Sequence, residues 1–137
     1  MTPLKRSKLQ PYKFEIRVPD TTKITIVPVV KHGNTHAANT AYVDLHWTPV
    51  LGPTAIAIVR WASHQSTSKS VTEHQLATAV GAHGFGDIRR ALAKLLNCDL
   101  ATTTEGTLHI AITFPSISVK RASSLRTTVA ANPHRTN

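Results

Sequence analysis

Arg89, Arg90 and Lys94 stand together in a stretch whose apolar residues follow a helical period. An arginine fork can donate two hydrogen bonds at once, to the O6 and N7 acceptors of a guanine or to two phosphate oxygens. A lysine ammonium is a point charge better suited to phosphate. Ile88, Leu92, Leu95 and Leu96 fall at i, i+4, i+7 and i+8, which is one apolar stripe of a helix over residues 87–97. Asp87, Arg89, Arg90, Ala93, Lys94 and Asn97 lie off that stripe. Such a helix can pack on a core with one side and meet a polyanion with the other.

Other chemistries find less support. His32 and His36 are four apart, but they sit in a segment of loop composition, with no Cys, Asp or Glu close by in sequence to complete a metal site. His64, His74, His83 and His109 lack ligand spacing, and no metal is expected. The carboxylates are Glu15, Asp20, Asp44, Glu73, Asp87, Asp99 and Glu105, and none forms a recognisable acid–base pair. Cys98, the single cysteine, excludes an intramolecular disulfide and a cysteine-based zinc site. It closes an apolar helix and reads as packing rather than as a nucleophile. Gly84-Phe85-Gly86 is too short for a phosphate-cradling glycine loop. Trp47 and Trp61 end apolar stretches and read as core. The chain is therefore not expected to be an enzyme, and no cofactor or small-molecule effector is implied.

Charge points to the partner. The formal net charge of the 137 residues is +9, which favours a polyanion, nucleic acid before an anionic membrane. Residues 1–23 carry six basic and two acidic residues, and residues 115–137 carry four basic residues and no acid. The two ends therefore hold most of the excess. Lys5, Arg6 and Lys8 at one end, and Lys120 and Arg121 at the other, read as arms that grip a nucleic-acid backbone. The composition is 41% hydrophobic, enough for a packed core. The N-terminus has no apolar run of signal-peptide type, and nothing approaches the roughly 18 apolar residues of a membrane span. The expected setting is cytoplasmic, at the nucleoid, away from membranes.

The elements that must position these residues follow from local patterns. Residues 1–12 read as a basic flexible arm and 13–48 as an N-terminal β segment. In that segment Phe14, Ile16 and Val18 alternate with Glu15 and Arg17, and residues 24–30 are rich in β-branched residues. A hairpin between these strands is expected, with Pro28 near an edge or an early end. Residues 42–47 alternate as a short strand. Pro53 announces a helix to about residue 64. Residues 65–70 read as a polar loop. Thr72 and Gln75 have capping-box spacing, Val71 and Leu76 that of a hydrophobic staple, and Gly81 suits a C-cap, so a short helix spans about 73–80. Residues 82–86 form a turn, and Asp87 is placed to cap the next helix. Strands at 100–103 and 107–114 flank a Thr104-Glu105-Gly106 turn, and Pro115 ends the second. The tail from 116 to 137 reads as mostly unstructured and basic, with residues 124–131 capable of one helix.

The order helix, helix, helix, hairpin over residues 49–115 resembles a winged helix-turn-helix domain. The lead-in Trp47-Thr48-Pro49-Val50-Leu51-Gly52-Pro53-Thr54 and the run Ala91-Leu92-Ala93-Lys94-Leu95-Leu96 are similar to short winged-helix proteins of unknown function from actinobacteria and their phages. The resemblance implies an α+β fold and a sequence-specific regulator of transcription, or of a phage or plasmid process, bound to double-stranded DNA. It places helix 87–97 in the major groove and His83, Gly84 and Gly86 near phosphates. It puts Thr102, Thr103, Thr104, Glu105, Gly106 and Thr107 at the wing tip. That tip lacks Arg and Lys, so a protein-facing wing in a nucleoprotein assembly is an alternative, as is an RNA- or ribosome-associated basic protein. A homodimer joined through residues 14–30 would suit paired half-sites.

Overall fold

The computed structural model describes residues 23–82 and 85–131. The arm residues Lys5, Arg6 and Lys8, the strand expected at 14–18, and the turn residues His83 and Gly84 lie outside the described residues. The fold is α+β, with helices packed on one face of a mixed four-stranded sheet.

The first strand, β1 (Lys23–Val29), is rich in β-branched residues and buries Ile24 and Ile26. β1 lies inside the sheet, and the hairpin expected with the strand at 14–18 falls outside the described residues. It pairs antiparallel with β3 (Lys69–Thr72) and parallel with β5 (Thr107–Ala111). Over Thr25 and Ile26 both of its flanks are taken, so β1 offers no free edge there for the expected hairpin or for strand pairing between two copies. Pro28 fits because β3 stops opposite Ile26, so Pro28 has a strand partner on the β5 side alone among the described residues.

Two further corrections come from burial. Residues 42–47 form a helix, α1 (Ala41–His46), not a strand. Val43, Trp47, Val50 and Leu51 are all buried, and their i, i+4, i+7, i+8 spacing outweighs the short alternation of polar residues between them. A one-turn helix, α2 (Thr48–Leu51), follows directly, and Gly52 at φ 85° turns the chain into α3 (Pro53–Ser63) with Pro53 at its first turn. Ala55, Ile56, Ile58, Val59 and Ala62 are buried. Trp47 is core, while Trp61 is only half-buried against it.

The segment expected as a polar loop closes with β3, whose Val71 is buried beside Ile24. α4 (Glu73–Val80) has the start and stop read from its residues. The Gln75 amide donates to the Thr72 hydroxyl at 3.0 Å and the Thr72 amide to Gln75 Oε1 at 2.9 Å. Gly81 at φ 75° takes the left-handed C-cap. α5 (Phe85–Asn97) begins two residues earlier than expected, so Asp87 lies within its first turn instead of capping it. Ile88, Ala91, Leu92, Leu95 and Leu96 are buried, which is the expected stripe.

β4 (Ala101–Thr104) and β5 form the expected hairpin, with Glu105 at φ 49° and Gly106 at φ 82° in the turn. Two consecutive positive φ values characterise the two-residue type I′ turn. The expected long strand to residue 114 is broken, and Thr113–Phe114 forms a separate strand, β6, antiparallel to β2 (His36–Ala37). The outer face of the large sheet is lined with hydroxyls, and Thr25 and Ser70 bond across it at 3.1 Å.

The tail departs most from expectation. Residues 119–131 form α6 (Val119–Ala131), which packs on α2. The Arg121 amide donates to Ser118 Oγ at 3.0 Å, an N-cap that starts the helix, and Ala122 is buried. The approach to α6 is fastened in three places. Trp47 Nε1 donates to the Pro115 carbonyl at 3.0 Å. The Tyr42 hydroxyl accepts from the Ile117 amide at 2.7 Å and donates to the Ile117 carbonyl at 3.2 Å. His36 stacks on Tyr42 and hydrogen-bonds Ser116.

Candidate nucleic-acid interface

Two helices each carry three basic residues. α5 holds Arg89, Arg90 and Lys94, and α6 holds Lys120, Arg121 and Arg126. Their surroundings differ.

Arg89 is engaged. Its Nε lies 3.2 Å from both oxygens of Glu73, and its Nη2 lies 3.1 Å from Oε1. Glu73 is the first residue of α4 and is 1% exposed, the single buried charged residue among those described. This pair ties the start of α4 to the first half of α5. The Arg89 side chain is nevertheless 40% exposed. Arg90 is engaged as well, with Asp87 one turn earlier in the same helix. Its guanidinium folds back so that a Cβ on Gly86 would lie 3.3 Å from Nη1. Arg60 in α3 likewise pairs with Asp44 of α1 at 2.5 Å. Each arginine between residues 53 and 97 thus has a carboxylate partner, which cancels much of its field at a distance.

Lys94 has no carboxylate partner among the described residues. Its Nζ reaches over Gly52, where a Cβ would stand 3.7 Å away. Asn97 is half-buried, and its Oδ1 is buried without a hydrogen-bond partner in the described residues. Its carbonyl oxygen is therefore turned away from any groove that α5 could enter. Thr103 and Thr104 are exposed on β4.

On α6, Lys120, Arg121 and Arg126 are exposed, and none pairs with a carboxylate of the described residues. α6 rests on α2, which touches α5, and the charge of Arg121 is felt at Cys98, just past the end of α5. Lys31 joins this neighbourhood by donating from Nζ to the Asp99 carbonyl at 2.7 Å, just past the end of α5. Cys98 is also there, and its thiol is pushed up to about 11. Burial is the main cause and Asp99 adds to it, while the Arg121 charge pulls the other way. A thiol held protonated near neutrality is a poor nucleophile.

Two features were not legible in the chain. Glu73 and Arg89 are sixteen residues apart, a spacing with no local meaning in a helix or strand. The order of α6 had one available signal, Ser118 at capping distance from Arg121 after Pro115. Among the described residues no group of three or more His, Cys, Asp or Glu is placed to hold a metal ion. No helix of the described residues is long and apolar enough to cross a membrane. A scan against protein-family models, a search of curated proteins and a search of solved structures found no match to this chain.

Proposed function

We propose that this chain is a winged helix-turn-helix protein that binds double-stranded DNA, with α5 facing the major groove and the basic residues of α6 on the phosphate backbone. The observation that carries the proposal is the set Lys94, Lys120, Arg121 and Arg126. These are basic residues on and beside one amphipathic helix, without carboxylate partners among the described residues. Uncompensated cations are attracted to the phosphates of DNA and displace its condensed counterions on binding. The order α3, α4, α5, hairpin supports the architecture, as does the packing of α3 and α4 against α5. Base contacts from Arg89 and Arg90 then specify, and backbone contacts position. A role as a regulator, cytoplasmic and at the nucleoid, follows from this reading.

One observation favours a second reading, a protein-facing module in a nucleoprotein assembly. The hairpin tip, Thr102–Thr104 with Glu105, carries no base, and α5's two arginines are already matched by carboxylates. Selection of bound sequences from a random duplex pool, with duplex RNA and single strands as competitors at stated salt, separates the readings. The proposal expects enrichment of a duplex DNA site. Equal or better binding of RNA, or no retained duplex, contradicts it.

A further inference from the structure

We propose that Glu73 is a positioning residue that holds Arg89 as a pre-aimed guanine reader, an inference that rests on the DNA-binding reading above. A guanidinium has two edges that can each donate a pair of hydrogen bonds. One is formed by Nε with one Nη, the other by the two Nη atoms at the tip. Glu73 occupies the first edge, with Nε 3.2 Å from both carboxylate oxygens and Nη2 3.1 Å from one. Nη1 makes no hydrogen bond or ion pair with the described residues, so the tip edge is available. The 40% exposure of the side chain agrees with a group buried at its root and open at its end.

The pairing is costly to maintain for stability alone. Glu73 is 1% exposed, and moving a carboxylate out of water is repaid only by good partners. A well-packed apolar residue would serve the core as well or better. What the carboxylate adds is direction. It fixes the plane of a long side chain that would otherwise sample many rotamers, so less freedom is lost when two acceptors are engaged. The tip edge matches the O6 and N7 acceptors of guanine in the major groove. Arg90 differs, because its partner Asp87 is on the same exposed helix face and its fork folds back over Gly86.

The test starts from the duplex that the wild-type protein selects from a random pool. Binding is measured to that duplex and to copies in which each G·C pair is replaced by A·T, or each guanine by 7-deazaguanine, which lacks N7. Wild type is expected to lose roughly tenfold or more at one guanine. Glu73→Gln removes the clamp, and Arg89→Lys keeps the ion pair but removes the fork. Both are expected to flatten the ratio at that guanine toward one, with thermal unfolding confirming that each is folded. If Glu73→Gln does not fold, Arg89→Lys alone decides. Wild-type and variant ratios that agree at every guanine overturn the inference. So does a parallel loss on all duplexes, which marks Arg89 as a phosphate contact. A wild type that selects no duplex overturns the DNA-binding reading itself, which distinguishes that failure from failure of this inference.

Discussion

α5 and α6 each carry three basic residues, yet the fold treats them in opposite ways. On α5, Arg89 and Arg90 are matched by Glu73 and Asp87, and Lys94 is left uncompensated. On α6, Lys120, Arg121 and Arg126 all lack a carboxylate partner among the described residues. α5 is also built into the core through a stripe of buried residues, whereas over residues 119–127 of α6 Ala122 is buried and Leu125 half-buried. The contrast shows that a count of bases along a chain does not locate the field. Pairing set by tertiary structure decides which charges a partner at a distance can sense. The helix that resembles a reader is the electrically quieter one. Most of the unpaired bases of these two helices stand on the tail helix.

The largest expected effect tests the packing half of this comparison. Leu92 is fully buried in mid-stripe, and Leu92→Ala is expected to destabilise the protein by roughly 2–5 kcal/mol in urea unfolding. Leu125→Ala on α6 should cost less, about 1–2 kcal/mol, because that side chain is half-buried. Equal losses at the two positions would mean that α6 is as much a part of the core as α5.

Smaller effects sharpen the account of how α4 presents Glu73. Thr72→Ala removes the hydroxyl that accepts from Gln75 and is expected to cost about 1 kcal/mol. Thr72→Ser, which keeps the acceptor, should restore most of it. No difference between the two variants would show that the cap is incidental.

A pH-dependent effect concerns the C-terminal end of α5. The Cys98 thiol is raised from 9.0 to about 11, so the folded state holds its proton more tightly than the unfolded chain. The stability this contributes is fully present below pH 9 and is lost as pH rises toward about 11. Alkylation of Cys98 should be slow at pH 8 in the folded protein and fast in denaturant. A folded-state rate equal to the denatured rate at pH 8 would place Cys98 in solvent and contradict its burial at the end of α5.

What could be read from the chain followed local rules. The α4 cap, the α3 start at Pro53, the α5 stripe and the hairpin turn at Glu105-Gly106 each depend on residues within a few positions of one another. The errors came where distant residues decide. Residues 42–47 alternate locally but are helical because Val43 and Trp47 bury on one side together with Val50 and Leu51. β1 takes its described partners, β3 and β5, from far along the chain, which no local pattern announces. The docking of α6 depends on Tyr42 and Trp47, some seventy residues earlier, holding the Pro115–Ile117 approach. The candidate site divides in the same way. That Arg89, Arg90 and Lys94 lie off the apolar stripe was visible, but the buried carboxylate behind Arg89 was not.

In the proposed DNA complex, the bases without carboxylate partners supply the backbone grip. The direct measurement is a salt titration of binding to one duplex, comparing wild type, a Lys120→Ala/Arg121→Ala/Arg126→Ala variant and Arg90→Ala. Each phosphate contact contributes about 0.9 to the slope of log affinity against log salt. The account predicts that the α6 variant lowers the slope by roughly 2 to 3 and Arg90→Ala by less than about 1. An unchanged slope in the α6 variant, with folding intact, would contradict it.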